Sequence, residues 1–171
     1  AAAIELARDR GLTVPTVYNS GGYDSVETLR LLEGLIDIYM PDMKYGDSAL
    51  AHRYSHVRDY VEANFAAVRE MHRQVGVLAT DERGIATRGL LLRHLVMPHN
   101  LSGTDRFVRW VADQLSPNTY VNLMNQYHPA YRASEYPLLD HRITRTEYQR
   151  SVRLARKYGL QRLDTNGDPA D

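Results

Sequence analysis

The stretch Leu35-Ile-Asp-Ile-Tyr-Met-Pro-Asp-Met-Lys44 decides the fold. An apolar, strand-like run, Leu35–Met40, passes into a polar pair, Asp42 and Lys44, and a helix pattern follows. Three further runs behave the same way: Leu12–Tyr18 ends at Asn19-Ser20, Leu90–Met97 at His99-Asn100, and Tyr120–Met124 at Asn125-Gln126 with His128. Strands that alternate with helices specify a parallel sheet joined by crossover helices. Such strands all point one way, so the groups at their C-terminal ends collect on one rim. Ligands bind at that rim in open α/β sheets and in α/β barrels.

The helices between these runs are legible from their caps and stripes. Ala1–Arg10 reads as a helix closed by Gly11. Asp24 with Glu27, Asp59 with Glu62, and Thr144 with Glu147 have capping-box spacing. Phe107, Val108, Val111 and Leu115 form another apolar stripe after Thr104. Val77–Ala79 and Ile85–Thr87 flank the turn composition of Asp81-Glu-Arg-Gly84 and predict a small hairpin. Pro129–Arg142 has no clean period and predicts an irregular loop, and Leu160–Leu163 a last strand. The expected organisation is one α/β unit over residues 1–163 with a flexible tail over 164–171. About five or six βα units are too few to close an eight-stranded barrel. An Ala-rich helix that opens an α/β alternation is expected to come from something longer.

At 171 residues, 43% of them hydrophobic and 25% charged, the chain can bury a real core. No apolar run approaches the ~20 residues that span a bilayer, and Ala1–Arg10 lacks signal-peptide character. The formal net charge is zero, which gives no overall field for nucleic acid or an anionic membrane. There is no cysteine, so thiolate metal sites, disulfides and cysteine nucleophiles are excluded and the cytoplasm is the expected compartment. Only Lys44 and Lys157 are lysines among 21 basic residues, which singles out a lysine at a strand end.

Asp42 and Lys44, two apart, share one side of an extended chain. Together they suit a ligand with hydroxyls and a charged group, or a cation with its counter-ligand; the spacing equally suits a surface ion pair. The glycines of Tyr18-Asn-Ser-Gly-Gly-Tyr23 could present amides to an anion or simply make a tight turn. Arg93 and His94 interrupt an apolar run, and as strand neighbours they face opposite sides. A buried arginine there requires a carboxylate or anionic partner. His128 could bond a ligand, bind a metal or act as an acid–base, or simply face water. His52 and His56 have the i,i+4 spacing that can clasp zinc, but no HExxH pattern accompanies them.

Five segments, in order, carry a resemblance. They are Tyr18-Asn-Ser-Gly-Gly-Tyr-Asp24, Asp37-Ile-Tyr-Met-Pro-Asp-Met-Lys44, Asp59-Tyr-Val-Glu-Ala-Asn64, Asp81-Glu-Arg-Gly-Ile-Ala-Thr-Arg-Gly-Leu-Leu-Leu-Arg-His-Leu-Val-Met-Pro98 and Tyr120-Val-Asn-Leu-Met-Asn-Gln-Tyr-His-Pro129. The set resembles the C-terminal part of radical S-adenosylmethionine proteins, in particular homologues of the pyruvate formate-lyase activating enzyme, over about residues 3–163. The resemblance implies the C-terminal portion of a partial (β/α)6 TIM-like barrel. In that family a CxxxCxxC loop holds a [4Fe–4S] cluster that binds S-adenosylmethionine. Its reductive cleavage gives a radical that takes hydrogen from a substrate, in activating enzymes a glycine of a partner protein.

Carried over by position, Asp42 and Lys44 match the family's Asp-x-Lys, which contacts S-adenosylmethionine. Asp42 also matches a carboxylate that helps hold a monovalent cation. Asn19 stands where activating enzymes carry an Asp of that cation site. Arg93 matches an arginine near the methionyl end, and His128 a histidine near the nucleoside. Without cysteine the chain cannot ligate the cluster, so the expected catalytic part lies outside it, and an open sheet edge would invite self-association. Two rival readings stand beside this one: a cysteine-free binding module of the same fold, and a metal hydrolase built on His52, His56 and His72.

Overall fold

The computed structural model describes residues 2–165. Helix α1 (Ala2–Asp9) leads into β1 (Val17–Ser20), α2 (Val26–Leu31) and β2 (Ile38–Pro41). Two helices follow, α3 (Ser48–Ser55) and α4 (Tyr60–Val75), then the short β3 (Ala79–Thr80) and the long β4 (Ala86–Leu95). The chain ends in α5 (Thr104–Gln114), β5 (Tyr120–Met124), α6 (Arg145–Lys157) and β6 (Arg162–Asp164). The strands make one sheet in the order β1-β2-β4-β5-β6, with every neighbouring pair parallel; β3 adds to β4 antiparallel. This is the α/β arrangement of a partial barrel, and it bears out the expected fold class and the Val77–Thr87 hairpin.

Alternation along the strands separates two faces. Tyr18, Tyr39, Leu90, Leu92, Val121 and Leu123 point into one core with the apolar stripes of α4, α5 and α6, among them Val68, Met71, Phe107, Val111 and Tyr148. The other face carries Asn19, Leu91, Arg93, Leu95, Asn122 and Met124, all at least partly exposed. Leu90 and Leu92 are fully buried. At about 25 cal/mol per Å² of apolar surface, each contributes about 2 kcal/mol by burial alone.

The expected boundaries shift where a local rule intervenes. The run from Leu12 becomes strand only at Val17, because Pro15 has no N–H for a ladder and Leu12 and Val14 stay exposed. Its end moves outward, so that Asn19 and Ser20 are the last residues of β1. Helix α2 is capped by Ser25, which accepts from Thr28 N, because the Asp24 carboxylate is already taken by the hydroxyls of Tyr18 and Ser20. Asp59 makes no cap bond; Ser48 Oγ accepts Val61 N and donates to Glu62 instead. The capping box of Thr144 and Glu147 forms as the spacing expects. Pro129–Arg142 is irregular apart from a 3-10 turn at Ala133–Glu135. Asp164, expected in the flexible tail, instead ends β6 and pairs in register with Asn122; the rest of that expectation, residues 166–171, lies outside the described residues.

Candidate functional site

Three strand ends meet at the rim. Asp42 follows β2 and forms a parallel bridge with Arg93 of β4. Its Oδ1 accepts from Arg93 Nε at 2.8 Å, and Arg93 Nη2 lies 2.6 Å from the same oxygen. Oδ2 pairs with Lys44 Nζ at 3.1 Å. Arg93 Nη2 also donates to Asn19 Oδ1 at 2.9 Å, which brings in the end of β1. The structure thus joins Asn19, Asp42, Lys44 and Arg93 in one cluster. One carboxylate faces two cations and Asn19 is neutral, so the cluster carries an excess positive charge.

Four hydrogen bonds hold the main chain that presents this cluster. Asp42 N donates to Ser20 O and Met43 N to Arg93 O, at 3.0 and 2.8 Å. Asp42 O accepts from Asn64 Nδ2 at 3.0 Å, and Lys44 N donates to the Tyr60 hydroxyl at 2.8 Å. Asn64, with no exposed surface, also donates to Gly22 O. Gly22 has φ +75°, and a Cβ there would overlap the Asp42 carbonyl and the Asn64 amide. The glycine pair is therefore a tight turn that packs onto the Asp42 strap. These bonds pin the strap on which the charged side chains stand.

Arg93 and His94 separate as neighbouring strand residues must. Arg93 faces the rim, with about a quarter of its side chain exposed. His94 lies fully buried on the helix side, stacked on Phe107 with ring centroids 4.2 Å apart. Burial holds its pKa down at about 4, so the ring is neutral near pH 7.

His128 follows the C-terminal end of β5, at the same end of the parallel sheet as Asp42. No hydrogen bond or ion pair among the described residues joins it to the cluster. It is exposed, with Nδ1 3.3 Å from Gln126 O, and it lines a cavity of about 390 Å³ with Tyr45, Tyr54, Tyr127 and Tyr136. The Tyr127 hydroxyl bonds Leu139 O and ties this segment to the 129–142 loop. Tyr54 presents a buried hydroxyl without a protein partner among the cavity's lining residues.

Two polar residues on the rim face were missed from sequence. Asn122 lies in register beside Arg93, and its Nδ2 donates to Asp164 Oδ2 at 2.9 Å. Asp42, Arg93, Asn122 and Asp164 thus form a polar row across four strands. The signal was present in the polar third position of Tyr-Val-Asn-Leu-Met. The zinc spacing of His52 and His56 does not become a helical pair. His52 is on α3, but His56 ends the helix in the left-handed region at φ 57°, and both are exposed. Among the described residues no group of three or more His, Asp or Glu side chains is placed to hold a metal. No described helix is long and apolar enough to cross a membrane.

Fold and rim together define an α/β partial barrel with a charged, cation-rich rim. Among solved structures, the chain is similar to a domain of a pyruvate-formate lyase-activating enzyme from Bacteroides vulgatus, with a TM-score of 0.65 and 12% identity, covering 97% of this chain and 88% of that one. At that identity the likeness is one of fold, and the chain has the fold of that domain. It is also 36% identical over 148 residues to an uncharacterized protein of Methanocaldococcus jannaschii. That alignment covers 86% of this chain and 39% of the relative, so the chain spans about two fifths of the relative's length. No family model matches.

Proposed function

We propose that this chain is the C-terminal part of a radical S-adenosylmethionine protein similar to the pyruvate formate-lyase activating enzyme, and that its rim holds the methionyl end of the cofactor. The carrying observation is Asp42, shared between Lys44 and Arg93 at the C-terminal end of parallel strands. A ligand bearing both an ammonium and a carboxylate fits this cluster: Asp42 accepts from the ammonium, and the two cations take the carboxylate. Asn19 positions the Arg93 guanidinium, and His128 stands on the nucleoside side. A [4Fe–4S] cluster does not fit this chain, because it offers no thiolate; its ligands belong to sequence outside these residues. When bound beside such a cluster, S-adenosylmethionine supplies radical chemistry. The residues described here bind and orient it.

The finer reading is a cytoplasmic parent enzyme acting on a protein substrate, which rests on the fold shared with an activating-enzyme domain. Self-association through the β1 edge accompanies it, where Val14 and Val17 are exposed. The test is isothermal titration of S-adenosylmethionine into the complete gene product with its cluster reconstituted. Saturable binding that Asp42→Ala weakens supports the proposal. Binding without any cluster-forming cysteines in the complete sequence would favour a non-catalytic binding module, and no binding at all would reject the rim as a cofactor site.

A further inference from the structure

Asp42 and Lys44 can act on a ligand only if the strap between them holds its shape. Four of its main-chain bonds have been described; the fifth comes from the core. His94 Nδ1 lies 2.6 Å from Met43 O, and Nε2 lies 2.9 Å from Thr104 Oγ1. A carbonyl can only accept, so Nδ1 carries the proton and donates to Met43. Nε2 is then bare and accepts from the Thr104 hydroxyl at the start of α5. Phe107, one turn along α5, stacks flat on the ring at an 8° interplanar angle and fixes its plane. The ring has no exposed surface, so it touches neither solvent nor ligand.

We infer that His94 is a positioning residue for the rim: its Nδ1–H clamps the Met43 carbonyl, and so the Asp42–Lys44 strap, to the β4–α5 core. The inference rests on the proposed ligand role of Asp42 and Lys44. A histidine can do this where a purely apolar residue cannot, because it satisfies one acceptor and one donor at opposite ends of a rigid ring. Its neighbour Arg93 faces the ligand side while His94 faces the core, so adjacent positions on β4 hold the charge and the support for the charge.

The geometry gives a test by paired variants. An asparagine side-chain nitrogen can take the place of Nδ1, whereas glutamine reaches the place of Nε2. His94→Asn therefore keeps the Met43 clamp and loses the Thr104 bond; His94→Gln does the reverse. Both leave a smaller or misshapen core side chain and should lower thermal stability alike. Hydrogen exchange at the Met43 and Lys44 amides, read by NMR, separates them. His94→Asn should keep protection close to wild type, and His94→Gln should lose roughly tenfold or more, the size of one net buried hydrogen bond. In the complete protein, affinity for S-adenosylmethionine should follow the same order. Equal protection in the two variants, or better protection with Gln, would overturn the inference. Wild-type protein that does not bind S-adenosylmethionine would reject the ligand reading alone, because the exchange comparison still decides whether His94 holds the strap.

Discussion

Replacing Asp42 by alanine removes the one carboxylate of the rim cluster and leaves Arg93 and Lys44 as neighbouring like charges. The magnitudes separate binding from stability. The Lys44 pair is nearly half exposed at the lysine, so its loss costs little in folding, well under 1 kcal/mol. The Arg93 pair is better shielded, with 15% of the Asp42 side chain exposed, and is bonded through two nitrogens, so about 1 kcal/mol of stability goes with it. A ligand ammonium that loses Asp42 forfeits a charge-assisted bond of about 1.5–3 kcal/mol, which is roughly tenfold to a hundredfold in affinity. Asp47→Ala supplies the contrast. From sequence Asp47 has no role, but its Oδ1 caps α3 by accepting Ala49 N at 2.6 Å and Leu50 N at 3.3 Å. Its loss should cost about 1 kcal/mol in stability and leave affinity within about twofold. Urea denaturation and calorimetric titration of both variants measure the crossing. Asp42→Ala with affinity within twofold of wild type, or equal losses from both variants, would refute the reasoning.

Other outcomes follow from the packing. Leu92→Ala, at a fully buried strand position, should cost about 2–5 kcal/mol by chemical denaturation without touching the rim. Gly22→Ala combines a positive φ at a buried position with overlap onto the Asp42 carbonyl, so it should lower the melting temperature and also weaken S-adenosylmethionine binding; unchanged affinity in titration would contradict this. His94 binds its proton in the unfolded chain near pH 6.5 and in the folded protein only near 4. Between those values the unfolded state holds more protons, so stability falls as pH drops through that window, by up to about 3 kcal/mol. Denaturation midpoints measured from pH 7 to 4 should show a shallower slope in His94→Asn, which cannot titrate there.

The strand ends were legible because a parallel sheet makes polarity at a strand terminus a spatial statement. Tyr120–Met124 matches its strand residue for residue, and Asp42 with Lys44 lies on the rim as the extended spacing requires. What supports the rim was not legible. Asn64 and Tyr60 bond the strap from 22 and 16 residues away, and both read in sequence as part of an ordinary helix start. His94 was seen only as one of two candidates, because alternation says that neighbours part and not which one is buried. His56 misled because a spacing of four is helical only while the helix lasts, and here the backbone turns left-handed at that residue. His128 stands at the expected end of the sheet, and what lines the cavity beside it was not legible, because the Tyr127–Leu139 bond that ties its segment to the 129–142 loop is tertiary.

The central claim is that the Asn19–Asp42–Lys44–Arg93 cluster receives the methionyl end of S-adenosylmethionine. The most direct measurement is a crystal structure of the complete protein, prepared anaerobically with its cluster reconstituted and S-adenosylmethionine bound. The cofactor's ammonium and carboxylate should lie within hydrogen-bonding distance, about 2.7–3.2 Å, of Asp42 and of Lys44 or Arg93. Cofactor bound elsewhere, with the Asp42 ion pairs unchanged from those described here, would contradict it.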